Sequence, residues 1–259
     1  MRGLVRSRGD RRHPTPRGAV NPPLAVIDLG RRDYRATLEL QRDLRAQRLA
    51  GTVAHDVLLL VEHDPVYTLG RGTRDSSLPV GAAALRATGA DVVEIERGGD
   101  VTWHGPGQLV GYPILDLRGH REDLHWYLRT LEAATIAALA GVGLAAETVP
   151  GKTGVWTGGR KIASLGVHVR QWVTLHGFAL NVDPDLAWFA HIVPCGLTGV
   201  EMTSVAAERG PRAGGWWDPV RAAVIGAFGE AFSRDPVDAA TLDPTLADRS
   251  GTGHPSPHA

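Results

Sequence analysis

The chain has one cysteine, Cys195, and two lysines, Lys152 and Lys161, although lysine and arginine together number 28. Its formal net charge is zero. A lone cysteine excludes an intrachain disulfide and suits a cytoplasmic compartment. Balanced charge removes the bulk electrostatic case for nucleic acid as a partner. No apolar run approaches the roughly 18 residues that a membrane span requires. The first residues contain no apolar h-region, so they do not read as a secretory signal. No segment repeats.

What is there divides into three parts. Residues 1–23 carry six arginines and four prolines with few apolar residues, and the composition predicts a disordered basic tail. Residues 236–259 are polar and rich in proline and glycine, and are expected to form a flexible C-terminal tail. Between them, 24–235 show no linker and read as one domain. Short apolar runs at 24–29, 57–62, 66–69, 92–96, 108–117, 154–157, 161–169 and 172–181 predict strands. Helical spacing predicts helices from an Asp33 cap to Ala50, over 79–88, over 123–140 and over 218–232, with a short one at 186–192. The class is α+β: a mixed β-sheet flanked by helices.

The stretch 158–196 concentrates the chemistry. Where arginine has replaced lysine almost everywhere, an ammonium remains at Lys161; arginine cannot serve as a base and a desolvated lysine can. Alternation along 161–169 puts Lys161 with Ala163, Leu165, Val167 and Val169, an apolar face that would desolvate it. Cys195 sits in Pro194-Cys195-Gly196, a turn-like setting unlike the apolar runs that hold inert cysteines. A free thiol is only a few per cent thiolate near neutrality, so a reactive one needs a cation or base nearby. A second stretch, RGGDVTWHGPG, packs four glycines and a proline into 97–107. That density lets backbone N–H groups approach a ligand closely, and it equally suits a plain hairpin loop. It is neither a P-loop nor a dinucleotide fingerprint. His104 and His176 read as ordinary hydrogen-bonded histidines or as pocket residues, and Trp216 and Trp217 as core packing.

The strings EHDPVYTLGR, RGGDVTWHGPGQLVGYPILDL, RKIASLGVHVRQWVTLHGFALNV and IVPCG, in this order and spacing, resemble those of the lipoyl(octanoyl) transferases. The resemblance spans about 24–232. It implies the biotin/lipoate protein ligase-like fold and transfer of an octanoyl group from octanoyl-acyl carrier protein to the lysine of a lipoyl domain. The recipients implied are the E2 subunits of 2-oxoacid dehydrogenases and the glycine cleavage H protein, with the enzyme a monomer needing no cofactor and no metal. Carried over by position, the family's acyl-thioester cysteine falls on Cys195 and its acid/base lysine on Lys161. Its substrate contacts fall on Arg97, Gly98, Gly99, Asp100, Val101, Thr102, Trp103 and His104, on Ser164, Leu165 and Gly166, and on Gly177, Phe178 and Ala179. Trp103 stands where the family often has tyrosine. With Leu165, Val167 and Phe178 it is expected to line an acyl channel, where burying about seven methylenes at ~0.8 kcal/mol each favours medium chains over short ones.

Three rivals remain at this point. An ATP-dependent lipoate or biotin ligase of the same fold usually has one more glycine before its aromatic–histidine pair. A metal site from His104, His176 and Cys195 lacks short ligand spacing. A non-catalytic acyl-binding domain would need no reactive thiol.

Overall fold

The computed structural model describes residues 21–193 and 199–247. Strand β1 (Pro23–Arg32) leads into helix α1 (Tyr34–Ala50). Asp33 caps α1 as expected: its carboxylate accepts the Ala36 N–H at 2.8 Å, and Gly51, at φ +74°, closes the other end. Then follow β2 (Asp56–His63), β3 (Val66–Leu69), α2 (Gly81–Ala87), β4 (Asp91–Glu94), β5 (Thr102–His104) and β6 (Gln108–Ile114). Helix α3 (Leu124–Gly141) starts at Asp123, whose side chain accepts the Trp126 N–H at 3.0 Å. Next come β7 (Glu147–Val149), β8 (Lys152–Thr157), β9 (Arg160–Arg170), β10 (Val173–Asn181), a 3-10 turn (Leu186–His191) and α4 (Val205–Arg209). The described chain ends with α5 (Trp217–Phe232), β11 (Asp235–Asp238), α6 (Ala239–Leu242) and α7 (Pro244–Ala247).

Eight strands form one sheet in the order β11-β1-β2-β6-β10-β9-β8-β7. The pairs of β1 with β11 and β2 are parallel; from β2 onward the sheet is antiparallel. A small sheet, β4-β3-β5, lies apart from it. The continuous apolar run of β2 reflects burial on both faces of the large sheet. Leu58 and Leu60 face a core shared with Leu131 of α3 and Phe228 of α5. Leu59 and Val61 face a second core with Leu38 and Leu44 of α1. The small sheet covers a third cluster, built on Tyr67, Trp103 and Phe189. Trp216 and Trp217 pack half-buried against the first core, in keeping with the sequence. Among the described residues no helix is long and apolar enough to cross a membrane.

The C-terminal expectation needs correction. Residues 236–247 are not loose: β11 pairs with β1 from Asp235 to Asp238, and Ala239 and Leu246 are buried in the second core. The sequence DPVD carries no strand signal of its own; the free edge of β1 supplies it. The expected tails at 1–20 and 248–259 lie outside the described residues.

A buried carboxylate ties these elements together. Asp56 accepts hydrogen bonds from Arg48 at 3.0 Å, His120 at 2.7 Å, Arg234 at 2.9 Å and the Asp116 N–H at 3.1 Å. Burial alone would raise its pKa; the His120 hydrogen bond and charge, with help from Asp116 and Arg234, hold it below the ordinary carboxylate value. A carboxyl depressed in the folded state stabilises above its unfolded pKa of about 4, and that contribution disappears as pH falls through the lower folded value. Asp56→Asn is expected to cost about 3 kcal/mol or more at neutral pH, since it strands buried cations. Urea melts of both proteins between pH 7 and 3 should show the gap closing on the acid side.

Candidate active site

A cavity of about 240 Å³ opens where six segments converge. Arg97, Gly99, Asp100, Thr102 and His104 come from the glycine-rich loop and β5, and Val110 and Tyr112 from β6. Ser164, Leu165 and Gly166 come from β9, and His176 to Ala179 from β10. Tyr34 at the start of α1 and Gly151 to Thr153 at the β7–β8 turn complete the wall. Most of the substrate contacts expected from sequence therefore share one cavity. Tyr34, Val110, Tyr112 and the 151–153 turn carry no motif and were missed; only the pairing of distant strands brings them in.

Three of the expected contacts stand elsewhere. Trp103 is fully buried away from the cavity, stacked on Trp188 at 5.7 Å and edge-on to Phe189 at 5.4 Å. Val101 joins it in the third cluster. The cause is strand alternation: Thr102 and His104 face the cavity, so 101 and 103 face the other way. Gly98 donates its N–H to Val167 O at 3.0 Å and thereby docks the loop on β9. Val167 belongs to the first core and does not line the cavity.

Arg97 braces the loop from within. Its guanidinium donates to Asp100 O at 2.6 Å, to Gly98 O at 3.1 Å and to Thr68 O and Oγ1 at 2.8 and 2.9 Å. The backbones approach closely here: a Cβ on Gly70 would stand 2.5 Å from Gly99 O. Asp100 accepts the Val101 N–H at 2.6 Å and a hydrogen bond from the Ser77 hydroxyl. The Ser77 carbonyl in turn accepts the Val193 N–H at 3.0 Å. The loop is thus joined to the segment that leads into Pro194-Cys195-Gly196.

Two buried histidines stand side by side here, His104 in the cavity wall and His63 next to it, their ring centres 6.0 Å apart. Burial pushes the His63 pKa down to about 4; burial, with the neighbouring His63 and Arg97 charges, pushes His104 down to about 3. His63 Nδ1 faces the Arg32 carbonyl at 2.9 Å, so Nε2 accepts from Tyr112 Oη at 2.8 Å. His104 lies parallel to the Tyr34 ring, 5.9 Å away, and its Nδ1 meets Gln108 Oε1 at 2.8 Å. Gln108 continues to Asn181 Oδ1 at 2.9 Å, and Asn181 to Thr203 O at 2.9 Å.

Lys161 is 1% exposed. Its N–H donates to Glu201 O at 2.8 Å, and its carbonyl accepts the Thr203 N–H at 2.9 Å. The simple alternation expected for 161–169 fails at its start. Val155 pairs with Ala163 but Trp156 pairs with Lys161, so β9 carries an extra residue and Ile162 and Ala163 are both fully buried. The Lys161 side chain lies along β8. Its Nζ is 5.6 Å from the Trp156 ring centre, and a Cβ on Gly154 would stand 2.7 Å from its Cε. Lys152 Nζ approaches the same ring at 5.4 Å. Both lysines of the chain therefore meet one indole. Cys195 lies outside the described residues.

The chain is similar to known proteins in both sequence and fold. A profile of the lipoyl protein ligase A/B catalytic domain matches residues 33–229. The octanoyltransferase of Gloeobacter violaceus is 57% identical over 173 residues, covering 67% of this chain and 76% of the relative. That of Synechococcus elongatus is 50% identical over 210 residues, covering 81% and 88%. A crystal structure of lipoate-protein ligase A bound with ATP superposes with a TM-score of 0.65 at 19% identity, over 88% of this chain and 95% of that one. A bi-partite lipoate protein ligase from Thermoplasma acidophilum superposes at 0.62 and 20% identity, over 89% and 93%. At such identities the structural likeness is one of fold.

Proposed function

Because the chain belongs to the octanoyltransferases of the lipoyl protein ligase A/B catalytic-domain family, we propose that it moves an octanoyl group from acyl carrier protein to a lipoyl-domain lysine, through a thioester on Cys195. The observation that carries this reading is the anchoring of the backbone on both sides of Cys195. Before it, Val193 is tied through Ser77 to Asp100 in the cavity wall. After it, Glu201 to Thr203 are bonded to the backbone of Lys161.

The chemistry follows from the donor. A thioester is already activated, so no nucleotide is required. The Cys195 thiolate attacks the octanoyl carbonyl, the bond to the carrier's sulfur breaks, and the carrier leaves as a thiol. Lys161 takes the Cys195 proton and returns it to the departing sulfur. The target lysine, deprotonated in turn by Lys161, attacks the new thioester; the C–S bond breaks, an amide forms and Cys195 regains its proton. The recipients are lipoyl domains of the kind carried by 2-oxoacid dehydrogenase E2 subunits and the glycine cleavage H protein. Leu165, Phe178, Val110 and Ala179 supply the apolar wall for the acyl chain.

Intact mass spectrometry of the protein incubated with octanoyl-carrier protein, without nucleotide, tests the proposal. One octanoyl increment that vanishes on adding a lipoyl domain is expected. An increment that appears only with ATP and free octanoate would replace the transferase with a ligase.

Gly154 offers a second, indirect test. An alanine there meets Lys161 Cε and the Ala163 carbonyl at 2.7 and 2.9 Å, at a φ of +138° that only glycine adopts easily. Gly154→Ala is expected to displace the ammonium and lower kcat by about tenfold to a hundredfold, as small misplacements of reacting groups do. Steady-state kinetics beside a thermal melt separate this from general unfolding.

A further inference from the structure

Strand β6 carries a proline in the middle of the large sheet. Pro113 pairs with Leu58 on one side and turns its carbonyl toward β10, where it accepts the Thr174 hydroxyl at 2.7 Å. In a strand the N and C=O of one residue point the same way, so the nitrogen that has no hydrogen also faces β10. The pair Phe178–Gly111 and the bridge Val173–Asp116 share one register, and that register sets His176 opposite Pro113. The ladder breaks at this point. His176 takes φ +61°, a conformation rare for a residue with a side chain. Its N–H leaves the sheet and donates to Oε1 of buried Gln41 on α1 at 3.1 Å.

The break turns the imidazole into the cavity. His176 is 1% exposed, and neither ring nitrogen has a hydrogen-bond partner among the described residues. Its Nε2 stands 3.8 Å from Glu96, a carboxylate already held by Arg42 at 3.2 and 3.0 Å. Lys161 Nζ lies over Gly154, where an added Cβ would stand 3.3 Å from it and 2.9 Å from Ala163 O. His176 pairs with Val167, four residues beyond Ala163, a separation of about 13 Å along the sheet at ~3.3 Å per residue. The cavity-lining residues of β9, Ser164 to Gly166, fall between.

Resting on the acyl-transfer reading above, we propose that the Pro113–His176 break, held by Gln41, is the length gauge of the acyl cavity, with His176 its specificity-determining residue. A chain that starts beside Lys161 runs toward His176. One that stops short leaves Nδ1, the ring nitrogen with no ion-pair contact, free to bond a polar partner within the cavity. A longer one presses methylenes against it and buries it unpaired, which opposes the gain from burying more chain.

The test is a competition. Wild type and His176→Gly each receive equal amounts of octanoyl- and decanoyl-carrier protein, and the acyl-enzyme species are resolved by mass at early times. Glycine accepts φ +61° without strain, so the variant keeps the backbone path. Each accommodated methylene is worth about fourfold in selectivity, so the decanoyl-to-octanoyl ratio is expected to rise at least about tenfold. Gln41→Leu keeps the imidazole but releases its N–H, and is expected to raise the ratio less, in the same direction. If His176→Gly does not fold, Gln41→Leu decides alone. A ratio that stays at the wild-type value, or both chain lengths falling in parallel, overturns the gauge. A wild-type protein that forms no acyl-enzyme from either donor instead overturns the acyl-transfer reading beneath it.

Discussion

Replacing Cys195 with serine is expected to abolish the octanoyl increment on the protein and to lower transfer to a lipoyl domain by about 10⁴-fold or more. The substitution exchanges sulfur for oxygen at nearly constant volume. A thiol reaches its nucleophilic anion close to neutrality, whereas a hydroxyl needs a strong base poised against it throughout the attack. Loss of a nucleophile from a unit whose members act together costs nearly the whole of their joint effect. The measurement pairs intact mass after incubation with octanoyl-carrier protein with single-turnover transfer, and a melting temperature within about 2 °C of wild type shows that the fold survives. A serine variant that still transfers octanoate at an undiminished rate would exclude the covalent route and favour direct attack of the target amine on the carrier thioester.

How far the sequence led depends on how local each signal was. Asp33 with Gly51 and Asp123 with Trp126 are caps, decided within a few residues, and α1 and α3 appear where those caps put them. The contacts at 164–166 and 177–179 share a wall because β9 and β10 form an antiparallel hairpin, and a hairpin is also nearly local. Its two turn residues, Gln171 and Trp172, take positive φ without being glycine, which composition alone does not announce. Trp103 was misplaced because alternation fixes only which residues share a face. Which face meets the cavity was settled by the packing of β5 on Trp188 and Phe189, some 85 residues downstream. Lys161 stands out in the sequence by its rarity, but its setting is not legible there. The extra residue in β9 shows only against β8, and the room over Gly154 exists only once the two strands pair. Pro113 lies inside the strand predicted over 108–117, and the break it makes exists only where β10 runs beside it.

Lys161→Arg carries the second large expected effect, because it separates charge from proton transfer. Arginine retains a cation at a buried position beside Trp156 but stays protonated at every working pH, and its planar fork is broader than the ammonium that lies over Gly154. If Lys161 is the base, the variant cannot take the Cys195 proton or that of the incoming lysine, and kcat is expected to fall by about 10²- to 10⁴-fold. The loss should appear in both half-reactions: slow formation of the octanoyl-enzyme with the carrier donor, and slow discharge of preformed octanoyl-enzyme to a lipoyl domain. Lys161→Ala should recover part of its activity when a small primary amine is added, since the amine can occupy the emptied channel along β8 and do what the side chain did. Lys161→Arg, with that channel still filled, should not respond. Full activity of the arginine variant would reduce Lys161 to a fixed positive charge. Loss in only the first half-reaction would restrict it to activating the thiol and leave the incoming amine to find another base, for which Lys152, on the same indole and in the cavity wall, is the nearest candidate by chemistry.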